Sequence, residues 1–305
     1  MAAPSPKLVF DTSFSPQTGA AVRVADAVVR VSAPNAGPYT FTGTNSFLLG
    51  VDSVVVVDPG PDDDGHLEAL RTAIAGRKVE AILLTHTHTD HSALAPRLKS
   101  ATGAPIWFGG KHRLSRPARF FEINGVAGSS DWRLEPDRVL RHGERLALAG
   151  FDIEVVATPG HCANHLAFGL GGTDILLSGD HVMGWNSTLV SVPDGSMADY
   201  LASLNRVIAL PYARYLPAHG GPIAEGPAYA GALLAHREER NRQVVAAVTQ
   251  GARRIGDLLK AIYPGLPLNV VPAARMTLKA HVEYLEERRA IVVRRGPLGT
   301  TLSLP

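Results

Sequence analysis

Four potential metal ligands lie within six residues of the stretch THTHTDH, namely His86, His88, Asp90 and His91. The apolar run before them predicts a buried strand and the pattern after them a helix, so these side chains are expected at a strand end that faces a cleft. Residues two apart on an extended segment point the same way, whereas a turn into a helix redirects the next pair. His86 and His88 are therefore expected to serve one metal, and Asp90 and His91 another. Histidines also cap helices or satisfy core carbonyls, but this density favours a metal site.

This HxHxDH pattern resembles the signature of the metallo-β-lactamase superfamily. Three later segments resemble the family's other ligand-bearing turns: TPGH at 158–161, SGD at 178–180 and LPAHGG at 216–221. All occur in the family's order, so the resemblance covers roughly residues 24 to 225. It implies seven ligands around two metals: His86, His88 and His161 at the first, Asp90, His91 and His219 at the second, and Asp180 bridging both.

Two metals at such a site imply hydrolytic chemistry. Divalent cations held ~3.5–4 Å apart lower the pKa of a shared water and polarise a scissile carbonyl or phosphoryl oxygen. The resemblance therefore implies a dinuclear metal-dependent hydrolase that uses a metal-bridging hydroxide, with Asp90 as the catalytic residue that orients it. Ligands of this type suit two zinc ions best, with iron or manganese as alternatives.

Two positions restrict the reaction further. The superfamily's diiron oxygen reductases carry glutamate where His88 stands, and its β-lactam hydrolases generally lack an aspartate at the position of Asp180. The expected substrates are therefore esters, thioesters, lactones or phosphodiesters.

Three further residues are candidates for contacts around the metals. Asp58 ends an apolar strand and either accepts a hydrogen bond from a ligand histidine or starts a turn. His165 is a candidate for a substrate contact or for a hydrogen bond to the site, and a structural histidine is the alternative. Tyr39 lies in a Gly- and Thr-rich loop that is either a substrate lid or a plain surface hairpin. His112 and His142 lack ligand spacing, so both are predicted on the surface.

Short apolar segments bounded by Gly, Pro or Asn predict strands, and longer patterns of helical period predict the helices between them. The predicted strands are 27–31, 46–49, 54–57, 81–84, 106–108, 151–157, 165–169 and 175–178, and the helices are 66–75, 92–100 and 197–210. Strands mixed with helices predict layered α/β packing. The resemblance narrows this to an αββα sandwich with the ligands along one edge.

The chain beyond the last ligand motif predicts a second domain. Helical patterns at 229–249, 255–263 and 274–288 precede two short strands within 291–302, an order that describes a winged helix. The predicted domains are a catalytic domain, residues 1–226, and a winged-helix domain, residues 227–305. This tail resembles the β-lactamase-like endoribonuclease-type branch of the superfamily, including the REER sequence that starts at Arg237.

The tail also raises a second function. From Arg237 onward the chain has twelve Lys and Arg against six acidic residues, which invites a nucleic-acid interpretation. The alternative is a nucleic-acid-binding protein with a structural metal site, or a single-strand-specific ribonuclease that uses the winged helix. Packing against the catalytic domain or a twin subunit explains such a tail equally well. A seven-ligand set with an open bridging position favours catalysis, because structural zinc sites are closed and four-coordinate.

Composition sets the remaining expectations. The 305 residues are 45% hydrophobic, enough for a substantial core and two domains, while the net charge of +2 does not indicate a partner. Cys162 is the single cysteine and is expected to be buried, which is compatible with a reducing compartment. Since no long apolar segment marks a signal or a membrane span, we expect a cytoplasmic protein. The expected partners are a small-molecule or single-stranded RNA substrate and a second subunit in a homodimer, with no membrane contact.

Overall fold

Two β-sheets face each other in the computed structural model, which describes residues 8–120, 122–296 and 299–305. In spatial order the first sheet contains β1 (Ala21–Ala25), β2 (Val28–Ser32), β3 (Asn45–Leu49), β4 (Ser53–Val57), β5 (Lys78–Leu83), β6 (Ile106–Phe108) and β7 (Arg138–Val139). The second contains β12 (Arg214–Pro217), β11 (Ile175–Gly179), β10 (Leu166–Leu170), β9 (Phe151–Ala157) and β8 (Arg145–Leu148). Both sheets are mixed, with β4 to β7 parallel and β11 parallel to β12.

The alternation of side chains across each strand builds three apolar layers. In β4, Val55 and Val57 point between the sheets, whereas Val54 and Val56 point outward. The outer face of the first sheet is covered by α1 (Asp64–Ile74) and α3 (Ala95–Thr102), and that of the second by α4 (Met197–Ile208). Central strands are thus buried on both faces, which explains their continuous apolar runs. The predicted layered α/β sandwich is confirmed.

Several predicted elements differ in detail from those observed. The predicted helix 92–100 is two helices, α2 (Thr89–Ser92) and α3, because Pro96 lies in the first turn of α3, where its missing N–H is tolerated. The sequence analysis missed the strands β1, β7, β8 and β12. Each is the outermost strand of its sheet.

The tail consists of α5 (Gly226–Thr249), α6 (Ile255–Ile262), α7 (Val271–Glu287), β13 (Val292–Gly296) and β14 (Gly299–Ser303). The predicted turn at residues 297 and 298 lies outside the described residues. The first half of α5 packs with α4 through Ala230 and Leu233, while its second half packs with α6 and α7 through Val244 and Val248. The winged-helix assignment and the boundary at residue 226 stay predictions. None of the helices in the described part of the chain is long and apolar enough to cross a bilayer.

Candidate metal centre

The seven predicted ligands lie on loops at one edge of the sandwich. His86, His88, Asp90 and His91 follow β5 directly, and α2 begins among them. The other three follow β9, β11 and β12: His161, Asp180 and His219. Because β5, β11 and β12 end at this edge, residues far apart in sequence meet there, and the structure brings all seven together.

Three imidazoles form the first group. His88 Nδ1 lies 3.0 Å from His86 Nε2 and 2.8 Å from His161 Nε2. Two nitrogens on a tetrahedral zinc ion are separated by roughly 3.3 Å, given a Zn–N distance of ~2.0–2.1 Å. The two measured distances are shorter than this by about 0.3 and 0.5 Å, so the three nitrogens are close enough together to share a single ion.

Two imidazoles and a carboxylate form the second group. Asp90 Oδ2 lies 3.2 Å from His219 Nε2 and 3.4 Å from His91 Nε2. Asp180 faces both groups, since its Oδ1 lies 3.3 Å from His219 Nε2 and its Oδ2 lies 3.6 Å from His161 Nε2. Asp180 is thus placed where one carboxylate can contact two ions.

Each of the five histidines directs one ring nitrogen outward to an oxygen atom. The pairs are His86 Nδ1 and Thr85 Oγ1 (3.0 Å), His88 Nε2 and Asp194 Oδ2 (3.4 Å), His91 Nδ1 and Asp58 Oδ2 (3.0 Å), His161 Nδ1 and the Leu189 carbonyl (2.8 Å), and His219 Nδ1 and the Gly43 carbonyl (3.2 Å). An outward N–H leaves the inward nitrogen with a free lone pair, as metal ligation requires.

Three inward atoms of the site form no hydrogen bond of acceptable geometry. His91 Nε2, Asp180 Oδ1 and His219 Nε2 are buried and have no hydrogen-bond partner in the described part of the chain. Such atoms cost free energy unless they are paired. Their convergence on one space fits divalent cations.

The pKa values of the histidines differ between the two groups of ligands. Burial lowers the pKa of His161 to about 4 and, with neighbouring imidazoles, holds that of His86 well below its ordinary value, so both rings are neutral. Burial would also lower the pKa of His219, but Asp180 and Asp90 outweigh it and raise that pKa to about 10. The second group therefore stabilises positive charge, and cation binding there displaces protons.

The other predicted site residues lie around this cluster. Asp58 accepts hydrogen bonds from the Thr85 amide (2.7 Å) and hydroxyl (2.6 Å) in addition to facing His91. His165 is buried, and its Nε2 accepts a hydrogen bond from the Asp180 amide at 3.0 Å. That approach requires a glycine at 179, where φ is +54° and a Cβ atom would lie 2.7 Å from His165. Tyr39 is 52% exposed at the outer part of its loop.

Sequence analysis missed a buried network beside His88. Asp194 Oδ1 lies 2.8 Å from His112 Nε2, and the other nitrogen of His112 lies 2.9 Å from Thr87 Oγ1. The prediction that His112 is on the surface was wrong, whereas His142 is exposed and Cys162 buried as predicted. No motif marks Asp194, which follows a proline in an irregular segment, so only tertiary proximity reveals it.

An aromatic pair adjoins the second group. Phe41 stacks on Trp185 with ring centroids 4.9 Å apart and an interplanar angle of 8°. The Phe41 loop includes Gly43, whose carbonyl meets His219, and a Cβ atom at Gly220 would lie 3.0 Å from Trp185. The pair therefore forms an apolar surface next to His219.

Comparisons with known proteins agree with this geometry. The metallo-beta-lactamase superfamily model matches residues 39–219, and the chain belongs to that superfamily. Lactamase-like protein vrtG of Penicillium aethiopicum is 30% identical over 289 residues, which cover 90% of this chain and 86% of the relative. The Beta-lactamase-like protein 2 homolog of Drosophila melanogaster is 28% identical over 292 residues, covering 91% and 94%.

A solved structure extends the similarity into the tail. A metallo-beta-lactamase family protein of Thermus thermophilus, TTHA1429, is 26% identical to this chain and superposes with a TM-score of 0.75. The alignment covers 93% of this chain and 100% of that protein. Superfamily members are generally metal-dependent hydrolases, and the His/Asp cluster supports that class for this chain.

Proposed function

We propose that the protein is a dinuclear metal-dependent hydrolase of esters or thioesters. The position of Asp180 carries the proposal, because its two carboxylate oxygens face the two groups of inward ring nitrogens. His86, His88 and His161 would hold one ion, and Asp90, His91 and His219 the other. The imidazole and aspartate donors suit zinc best, and iron or manganese are the alternatives.

When bound, two divalent cations would supply a water of lowered pKa and would polarise the scissile carbonyl oxygen. The chain's own residues orient and protect this chemistry. Asp90 is the most accessible of the seven, with its side chain 26% exposed, whereas the other six are buried. Its Oδ2 faces His91 and His219, so Oδ1 would be the atom that could accept a proton from an attacking water. Asp90 is therefore our candidate catalytic residue.

The surroundings of the site favour an uncharged acyl substrate. The Phe41–Trp185 pair offers an apolar surface beside His219. Among the described residues, the side chains paired with the seven candidate ligands are imidazoles, carboxylates and a hydroxyl, with no lysine or arginine. Phosphate recognition commonly relies on arginine or lysine, so this environment is less suited to phosphodiesters.

Metal analysis tests the dinuclear site. After chelation and reconstitution with zinc, the wild-type chain is expected to retain two ions and Asp180→Asn one. Asp174→Asn is the matched control, since Asp174 pairs with Arg214 on the surface. Two tightly bound ions in Asp180→Asn, or one in the wild type, contradict the proposal.

A substrate panel tests the reaction. The loaded enzyme is assayed on a p-nitrophenyl ester, an acyl thioester, bis(p-nitrophenyl) phosphate, a penicillin and single-stranded RNA. We expect metal-dependent cleavage of the acyl substrates, reduced about 100-fold or more in Asp180→Asn. Faster cleavage of the phosphodiester or of RNA overturns the substrate assignment.

The nucleic-acid alternative is not favoured. The helix α7, which a winged helix would use for recognition, packs Ala280 and Tyr284 against the cluster around α4. In the hairpin, Arg295 is paired with Glu286 at 2.7 Å. The side chain of Arg295 and this face of α7 are therefore already engaged within the protein.

A further inference from the structure

A segment between α3 and β8 connects the tail to the metal centre. We call residues 115–120 and 122–131 the bridging segment. Arg116 and Arg119 meet α7, whereas the residues on either side of them, Ser115 and 124–131, meet His88 and its neighbours.

The tail end of the bridging segment is held by a buried carboxylate. Glu283 of α7 is 8% exposed and accepts two hydrogen bonds from Arg116, from Nε at 2.5 Å and from Nη2 at 2.6 Å. Arg119 donates a further one to the same carboxylate. Glu122 binds the other side of Arg116 at 2.6 and 2.7 Å. Two arginines and two carboxylates thus form a closed, charge-balanced network, the type of ion pair with the strongest geometric specificity.

The residues on either side of this network are hydrogen-bonded to residues beside the ligands. Ser115 Oγ donates to the Asp194 carbonyl at 2.7 Å, and Asn124 Nδ2 donates to Asp194 Oδ1 at 3.3 Å. Ser130 forms a β-bridge with His88, and the Asp131 amide donates to the Thr87 carbonyl at 2.8 Å. The segment therefore borders the His88 side of the site directly.

One apolar side chain of the segment is exposed next to these contacts. Ile123 is 84% exposed and immediately precedes Asn124. Met276 of α7 lies behind the segment, where its sulfur would be 2.7 Å from a Cβ atom at Gly125. Ile123 therefore lies one residue from Asn124, whose side chain contacts Asp194 beside His88.

We propose that Glu283 is a positioning residue for the hydrolytic site. Through Arg116 and Arg119 it fixes the bridging segment against the His88 side, so that the tail helps to form the surface that binds substrate. Removing the carboxylate leaves both arginines with Glu122 alone and breaks the connection to α7. The metal ligands keep their own contacts. This proposal rests on the proposed hydrolase activity in its kinetic test, whereas its digestion test does not depend on that activity.

The first measurement is independent of activity. Limited trypsin digestion of the metal-loaded, full-length protein is followed by mass spectrometry for cleavage after Arg119. In Glu283→Ala we expect that cleavage to be about tenfold faster, because it follows the population of the open segment. Glu286→Ala is the matched control, since Glu286 lies on the same helix but pairs with Arg295 of the hairpin. It should be cut after Arg119 at the wild-type rate.

The second measurement separates positioning from general stability. Glu283→Ala should raise KM for an apolar acyl substrate about tenfold while kcat and metal content stay near wild type. Glu283→Gln keeps the side-chain volume, and its KM should lie between those of the wild type and Glu283→Ala. This variant provides a folded test protein if the alanine variant aggregates. Unchanged cleavage after Arg119 in both Glu283 variants overturns the proposal. So does a fall in kcat and metal content at constant KM, or an equal effect of Glu286→Ala. If no acyl substrate is hydrolysed by the wild type, the proposed function fails and the digestion alone decides the role of Glu283.

Discussion

Replacing Asp194 by Asn should weaken one metal site and leave the other intact. Asp194 is fully buried, and its carboxylate is shared between His112 Nε2 at 2.8 Å and His88 Nε2 at 3.4 Å. Asparagine keeps the volume but not the charge that orients the His88 ring with Nδ1 inward. Carboxylates that hydrogen-bond to ligand histidines are commonly worth about 10–100-fold in metal affinity.

The structure places Asp194→Asn at the lower end of that range. The Asp194 carboxylate lies farther from His88 than from His112, so its hydrogen bond to His112 is the stronger one. We expect a loss of about tenfold in affinity at the group of His86, His88 and His161, which corresponds to about 1.4 kcal/mol. The group of Asp90, His91 and His219 has no direct contact with Asp194 in the described residues and should bind as in the wild type.

A competition titration measures both affinities. Metal-free protein is titrated with zinc in the presence of a chromophoric chelator, and the two binding steps are fitted separately. Asp174→Asn again serves as the control, because its partner Arg214 lies on the surface. An equal loss at both steps, or no loss at either, refutes the orienting role derived for Asp194.

Three further outcomes are expected. Phe41→Ala should raise KM for apolar acyl substrates about tenfold at unchanged metal content, because it removes one half of the stacked pair, and an unchanged KM contradicts an acyl contact there. Burial lowers the pKa of His66 to about 4. Between pH 6.5 and 4 only the unfolded chain binds a proton at this ring, so the free energy of unfolding decreases as the pH is lowered. Metal-free wild type should therefore lose about 2 kcal/mol more between pH 7 and pH 5 than His66→Gln, by urea unfolding at each pH, and an equal loss refutes this. Truncation after Gly226 should give insoluble protein because it removes the buried Leu233, and a soluble monomer in size-exclusion chromatography speaks against it.

The parts of the fold that the sequence predicted share one physical property. Central strands such as β5 and β11 are buried on both faces, so their continuous apolar runs are visible in a window of a few residues. The strands β1, β7, β8 and β12 are edges of their sheets. Edge strands need less apolar surface, and pairing on one side alone leaves little periodic signal.

For the site, too, residues close together in the sequence were predicted, whereas residues that meet only in the folded chain were missed. His86, His88, Asp90 and His91 are four residues of one turn, so their spacing carried the chemistry. Asp194 and His112 have no such spacing, because their proximity arises when the segment after β6 folds back beside the loop after β11. A histidine without a neighbouring motif is usually placed on the surface by composition, and that prediction failed for His112.

The length of α5 limits how the two parts of the molecule can move. Its 24 residues correspond to about 36 Å of continuous helix, and from Ala232 to Thr249 it contains neither glycine nor proline, the residues at which helices bend most easily. Its first half belongs to the apolar cluster around α4 and its second half to that of the tail. The helix therefore joins the two clusters rigidly over residues 232–249. Heating should accordingly melt the catalytic part and the tail in one calorimetric transition.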